Sequence, residues 1–362
     1  MILSRPNPDY TTLLSGKYVI PKAYKDLHFY SSGRYALLAG LNFLGVSPGS
    51  IILLPAYICD SVVIALKMSG YTPIFFDIKP NLEIDNAKVI SLIDEHNAKS
   101  VLVVHYFGFP NKIKELSDIC RMRNVKLIED CCHGFLTSVD GMPIGVTGDA
   151  AIYSFRKTFP VSDGGALKLN CLEKQYLAPK KLSAKRLLNV YLFSRLVERV
   201  VASSGLINLY SPFIDSVKKQ IVSKNKKKQI QALSEFKEVT PSFQLNQYLG
   251  NEEYIRQLSS VVSRNYEMLV QLASEKGWKA FVPELMSNCV PQWAPFFDST
   301  TNLVKWLRRN GVGASRWPWH ELPSEVKGAK EKYPVSCELD KKLALLPIHQ
   351  SLAISDIKIQ DI

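Results

Sequence analysis

Val125-Lys126-Leu127-Ile128-Glu129-Asp130-Cys131-Cys132-His133-Gly134 is a short apolar run that ends in carboxylate, thiols and imidazole. A helical pattern over Ile113 to Arg123 precedes it. Two more apolar runs follow, Ala150 to Phe155 and Ala166 to Leu169, the second entered through Gly164-Gly165. The same alternation extends upstream. Helical Ser31 to Leu44 stops at Val46-Ser47-Pro48-Gly49 before the run Ile51 to Leu54; helical Asp60 to Ser69 precedes Thr72 to Asp77, and helical Asn86 to His96 precedes Ser100 to His105. Short apolar strands alternating with helices predict an α/β fold, with a mainly parallel sheet flanked by helices. Ligands bind beyond the C-terminal ends of such strands, which makes the residues just after each run the candidates for chemistry.

The chain has 362 residues, 46% of them hydrophobic and 22% charged, enough for about two domains and too apolar for a disordered chain. Downstream, the spacing predicts helices over Gln244 to Leu272 and Asn302 to Asn310. The domain boundary is expected near residue 235, at the end of a polar Lys-rich stretch, giving domains 1–235 and 236–362. The first ten residues lack the basic-then-apolar pattern of a signal peptide, and no long uncharged apolar stretch occurs, so the expected location is the cytoplasm. Seven cysteines, an odd number with no C-x-x-C pair, support neither a disulfide framework nor a zinc knuckle. Cys131 and Cys132 are expected to be half-buried thiols, because a bridge between neighbours strains the peptide.

The net charge of +12 is concentrated in one place. Between Cys171 and Ile230 there are thirteen Lys/Arg against three acids, so this segment carries +10 of the +12. Leu187, Leu188, Tyr191, Leu192, Leu196, Val200 and Val201 recur there at helical spacing, which reads as a basic amphipathic helix. The basic segment, 172–230, fits a solvated face, capture of a diphosphate-bearing substrate, or contact with an anionic membrane surface at the inner face of the membrane. No recognition-helix motif accompanies it, and nucleic acid beyond a nucleotide is not expected as a partner.

Four places carry candidate chemistry. Asp130 closes an apolar strand, where a carboxylate needs a cationic partner or a capping role. Lys157 follows the run ending at Ser154-Phe155 and precedes Gly164-Gly165, a setting that suits an amine required to attack a carbonyl. Backbone N–H groups after Ser32-Gly33 open a helix and suit a dianion. The cluster Arg316-Trp317-Pro318-Trp319-His320 is either core or the lining of a substrate entrance.

As a set, these motifs resemble the DegT/DnrJ/EryC1/StrS family of pyridoxal-phosphate sugar aminotransferases. The residues carrying the resemblance are Ser32-Gly33-Arg34-Tyr35-Ala36-Leu37, Pro55-Ala56-Tyr57, Gly70 to Asp77, His105-Tyr106-Phe107-Gly108, Asp130 with His133, Gly148-Asp149, Ser154-Phe155, Lys157 and Asp163-Gly164-Gly165. The resemblance implies a fold-type-I transferase with a smaller C-terminal α+β domain. It makes Lys157 the Schiff-base lysine and the carrier of the proton in transamination. Asp130 faces the pyridine nitrogen of pyridoxal 5'-phosphate, His133 lies against the ring or its hydroxyl, and Ser32, Gly33, Arg34 and Ser154 bind the phosphate. Arg34 stands where the family has Thr, and the step from Ser154 to Lys157 is three residues where the family has five. The family's stacking aromatic falls on Cys59, leaving Tyr57 or His105 as substitutes. The implied reaction moves an amino group, usually from glutamate, to a keto sugar linked to a nucleotide, for amino-sugar or surface-polysaccharide synthesis. The implied assembly is a homodimer. Relatives that act as sugar dehydratases replace the lysine, often by histidine, and Lys157 therefore favours transamination. A non-catalytic regulatory or membrane-associated homologue is the other alternative.

Overall fold

The structure is a computed structural model and describes residues 6–15, 24–161, 164–170, 238–239, 241–300, 302–318 and 321–352. The basic segment 172–230, the boundary near 235, Asp163, Trp319 and His320 lie outside the described residues.

In chain order the elements are α1 (Tyr10–Leu14), β1 (Leu27–Tyr30), α2 (Gly33–Phe43), β2 (Ile51–Pro55), α3 (Asp60–Met68), β3 (Thr72–Phe76), α4 (Asn86–His96), β4 (Ser100–Val104), α5 (Lys114–Met122) and β5 (Lys126–Asp130). A small hairpin, β6 (Ser138–Val139) and β7 (Met142–Pro143), precedes β8 (Ala150–Ser154) and β9 (Gly165–Leu169). Seven strands form one sheet in the order β1-β9-β8-β5-β4-β2-β3. Only β9 runs against the others, pairing antiparallel with both β1 and β8. The sheet is thus mainly parallel, as its apolar runs predict. β4 and β8 are buried at every position, the pattern of central strands covered on both faces.

β4 returns to the far side of β2 after β3 has paired on the near side, which creates a switch point in the strand order. Helix α2 packs beside β8 and β9, with Gly40 close to Leu167 and Gly33 close to Tyr153 and Ser154, so its N-terminus comes to the end of β8.

The C-terminal part contains α6 (Phe243–Gly250), α7 (Glu252–Glu275), β10 (Trp293–Phe297), α8 (Leu303–Arg309), α9 (Ser324–Gly328), α10 (Pro334–Lys342) and β11 (Leu343–Pro347). The helix expected over Gln244 to Leu272 is two helices. Asn251 interrupts it with φ −95° and ψ 89°, and its Oδ1 accepts from Tyr254 N–H at 3.0 Å, which caps α7. A one-residue break leaves the apolar rhythm in phase, and the periodicity runs straight through it. Leu258, Val262, Tyr266, Leu269 and Ala273 form one buried stripe on α7, packed with the antiparallel β10–β11 pair and with Phe155 and Phe159 from the main sheet's side. At the other end Asp77, just past β3, accepts from Val335 and Ser336 N–H at 2.9 and 3.0 Å and caps α10. Among the described residues no helix is long and apolar enough to cross a membrane.

Candidate active site

The site begins where α2 meets β8 and β9. A Cβ on Gly165 would lie 2.2 Å from the carbonyl carbon of Ser32 and 2.5 Å from the nitrogen of Gly33, so only glycine lets the helix start sit this close. A Cβ on Gly33 would lie 3.0 Å from Cys132 Sγ and 3.9 Å from Ser154 Cβ. Ser32, Gly33 and Ser154 are therefore neighbours although more than 120 residues separate them. Ser32 occupies the N-cap in an extended conformation, yet its hydroxyl makes no capping bond; Oγ is buried and has no hydrogen-bond partner among the described residues. A hydroxyl without a partner beside first-turn amides, with buried Ser154 opposite, has the chemistry to accept an anion. Arg34, the second helical residue, is half-buried. Burial pulls its guanidinium down, Tyr35 acts in the opposite sense, and the positive charge of Arg156 adds to the lowering.

Asp130 is the last residue of β5, and its Oδ1 accepts from Cys132 N–H at 3.0 Å, an Asx turn that fixes the carboxylate. Lys157 closes the 3-10 turn Phe155–Lys157 that follows β8. Their charges meet on the same side chains. Burial pushes the Cys59 thiol up to about 11, with Lys157 acting downward and Asp130 upward. The Cys132 thiol is likewise raised by burial and Asp130 and opposed by Lys157. Cys131 and Cys132 are both fully buried free thiols, which corrects the expectation of half-burial.

His133 is buried, and its Nδ1 accepts from Phe107 N–H at 3.1 Å, so the proton of the neutral ring sits on Nε2. Burial, and after it the charge of Lys157, holds this imidazole well below its ordinary value. The ring stacks on Phe107 with centroids 5.8 Å apart and planes 5° from parallel. Phe107 reaches that position with φ 57°, the left-handed region. Gly108 follows with φ 100°, where a Cβ would lie 2.9 Å from His133 O.

His105 is buried and held through both ring nitrogens. Its Nδ1 accepts from Asn111 N–H at 2.9 Å, and its Nε2 donates to Glu129 at 2.9 Å. Glu129 also takes the N–H groups of Gly145, Thr147 and Gly148. Burial alone would raise its carboxyl, but the His105 contact and the amides bring it below its ordinary value. Cys131 Sγ comes within 4.8 Å of the same His105 and Glu129 ligand atoms. With four donors on one carboxylate, the group is a hydrogen-bond hub that anchors β5 directly behind Asp130.

Two contributions come from the C-terminal part of the chain. Trp317 is buried and stands edge-on to Tyr57, Phe107 and His133, with centroids 4.7, 6.0 and 5.5 Å away. Residues 289–292 clamp the loop after β4, Gln292 N–H donating to Phe107 O at 2.7 Å and the Cys289 thiol to Gly108 O at 3.4 Å. Tyr57 is fully enclosed, and among the described residues its hydroxyl, like Trp317 Nε1, has no hydrogen-bond partner. The density of Arg316-Trp317-Pro318 was a signal for Trp317; nothing in 289–292 marked its role.

The mainly parallel sheet thus brings a lysine, a carboxylate and a neutral imidazole to strand ends near the start of α2. Residues 28–175 match the model of the DegT/DnrJ/EryC1/StrS aminotransferase family, a stretch that contains every candidate residue from Ser32 to Lys157. A dTDP-4-dehydro-2,3,6-trideoxy-D-glucose 4-aminotransferase of Saccharopolyspora spinosa is 32% identical over 139 residues, 38% of this chain and 36% of that protein. A 3-oxo-glucose-6-phosphate:glutamate aminotransferase of Bacillus subtilis is 26% identical over 284 residues, 75% of this chain and 55% of that protein. The crystal structure of NtdA from Bacillus subtilis with bound cofactor PMP superposes with a TM-score of 0.63 at 18% identity, covering 99% of this chain and 81% of that one. The chain thus spans little more than a third of the first relative and about half of the second.

Proposed function

We propose that this protein is a pyridoxal-phosphate-dependent aminotransferase that moves an amino group from a donor, glutamate in the first instance, to a keto sugar, most simply a nucleotide-linked one. The observation that carries this reading is the convergence of Lys157 and Asp130 on Cys59 and Cys132, next to the cradle of Ser32, Gly33, Arg34 and Ser154. The residues fit the cofactor. The orphaned Ser32 hydroxyl and the Gly165 approach suit its phosphate, and a carboxylate at a strand end suits its ring nitrogen.

When bound, pyridoxal 5'-phosphate supplies an aldehyde and an electron-withdrawing ring. Asp130, fixed by Cys132 N–H, would hold a proton at the ring nitrogen. His133, neutral with its proton on Nε2, would donate a hydrogen bond without adding charge. Lys157 would engage the aldehyde and, once released, take a proton from the substrate carbon and return it, working as base and then acid. With Cys59 at the position of the family's aromatic, the remaining ring contact is assigned to Tyr57 and Cys59 together. Division into domains 1–235 and 236–362, a homodimer, a cytoplasmic setting that extends to the inner membrane face, and a role in polysaccharide or amino-sugar synthesis belong to the same proposal.

The test is the visible spectrum of the purified protein with added cofactor, followed by glutamate and then candidate keto sugars. A cofactor band that disappears on adding glutamate and returns with a keto sugar supports the proposal. A band that glutamate and other amino donors leave unchanged contradicts transamination.

A further inference from the structure

We propose that Trp317 is a positioning residue for His133: together with Phe107 it fixes the plane of the imidazole, and so the direction in which Nε2–H is presented to the cofactor. This deepens the proposed function and rests on it for what Nε2–H meets. The Phe107 and His133 rings stack with centroids 5.8 Å apart and planes 5° from parallel. The indole of Trp317 stands at 84° to His133 and 89° to Phe107, with centroids 5.5 and 6.0 Å away. The three centroids thus form a nearly equilateral triangle. Placed this way, the indole lies across the side of the stack and stops either ring from sliding over the other.

Phe107 holds the imidazole a second time, since its N–H donates to His133 Nδ1 at 3.1 Å. A half-turn of the ring about Cβ–Cγ would put a carbon where Nδ1 accepts and leave a buried N–H unpaired. The loop that supplies this donor is itself clamped, with Phe107 O accepting from Gln292 N–H at 2.7 Å and Gly108 O from the Thr137 hydroxyl at 3.0 Å. Trp317 is backed by Tyr57 and Tyr106, edge-on at 4.7 and 5.5 Å, and the Tyr106 hydroxyl donates to Tyr57 O at 2.7 Å. The indole is buried, and among the described residues its Nε1 makes no hydrogen bond, so it acts on His133 through packing alone. A ring free to turn would carry Nε2–H off any fixed acceptor, and hydrogen bonds weaken steeply as they bend.

The experiment reads the imidazole directly, by nitrogen NMR of the full chain with labelled histidine at neutral pH, with and without added pyridoxal 5'-phosphate. His133→Gln assigns the resonances. The wild-type ring should show one tautomer, with the proton on Nε2 and the two ring nitrogens widely separated in shift. Trp317→Phe keeps an aromatic edge and gives up no hydrogen bond, so it should preserve that pattern. Trp317→Leu keeps apolar bulk but removes the edge, and the separation should contract as the freed ring carries its proton on either nitrogen. Trp317→Met, a more adaptable filler, takes its place in the comparison if Trp317→Leu does not fold. Leu269→Ala controls for lost stability alone, because Leu269 is buried on α7 in a different apolar cluster from Trp317, and it should keep the wild-type pattern. A wild-type pattern in the variant that lacks the edge, or the same contraction in Leu269→Ala, would overturn the inference. The readout needs no turnover. If glutamate leaves the cofactor band unchanged while the tautomer depends on Trp317, the positioning role stands and the aminotransferase reading falls.

Discussion

Substituting Gly165 by alanine tests the geometry on which the whole cradle depends. The added methyl would lie 2.2 Å from the carbonyl carbon of Ser32, 2.4 Å from its oxygen and 2.5 Å from Gly33 N, and all three are backbone atoms with no rotamer to yield. Restoring ordinary contact at 3.4 Å requires the start of α2 to retreat by roughly 1.2 Å. Overpacking of this kind costs about 1–3 kcal/mol, and urea denaturation should report a fall in stability of that size. The same retreat pulls the Ser32 hydroxyl and the first-turn amides away from Ser154, so affinity for pyridoxal 5'-phosphate should fall while affinity for pyridoxal holds. Gly328→Ala is the control. Beyond its own helix and chain neighbours, no atom lies within 4 Å of where its methyl group would sit, and the residue ends α9, so the change should be neutral or stabilising by less than about 1 kcal/mol. If Gly165→Ala is as stable as the wild type and binds both aldehydes equally well, the close approach of α2 to β9 is not what forms the phosphate site.

Glu129→Gln should destabilise the fold by at least about 1–3 kcal/mol in chemical denaturation, because an amide cannot accept all four N–H groups now on the carboxylate. Its carboxyl is lowered in the folded state, so the stability it contributes is present above its ordinary 4.5 and lost as pH falls through the folded value; Glu129→Gln should flatten that acid limb. For His133 the folded value lies well below 6.5, so as pH drops through 6.5 the unfolded chain gains a proton that the native one refuses. Stability should fall across that window, and His133→Gln should reduce the slope in denaturation curves collected over a pH series. Asp77→Ala removes the acceptor for Val335 and Ser336 N–H and should cost about 1–2 kcal/mol, read in the same assay.

Much of this architecture is legible in the chain because its strands are buried on both faces and bounded by turns. Val101 to Val104 and Ala150 to Tyr153 are unbroken runs of largely apolar residues, and such runs between helical patterns mean parallel pairing. The strand order is a different matter, since the return of β4 past β2 and the reversal of β9 leave no trace in periodicity. Trp293–Phe297 does not read as a strand because Pro295 argues against one; β10 tolerates it in a two-stranded pair. Within the site, Asp130, His133 and Lys157 stand out because strand ends concentrate ligands and the motif is nearly contiguous. The roles of His105 and Trp317 could not be read the same way. His105 is fixed through both ring nitrogens by Asn111 and Glu129, contacts with no periodic signal, and Trp317 reaches His133 across more than 180 residues of chain.

The most direct test of the central claim is reduction of the cofactor-loaded protein with borohydride, followed by peptide mapping of the adduct, with Lys157→Ala alongside. A single pyridoxyl group on Lys157 and no stable adduct in the variant are expected. An adduct on another lysine, or one that persists in Lys157→Ala, would contradict it.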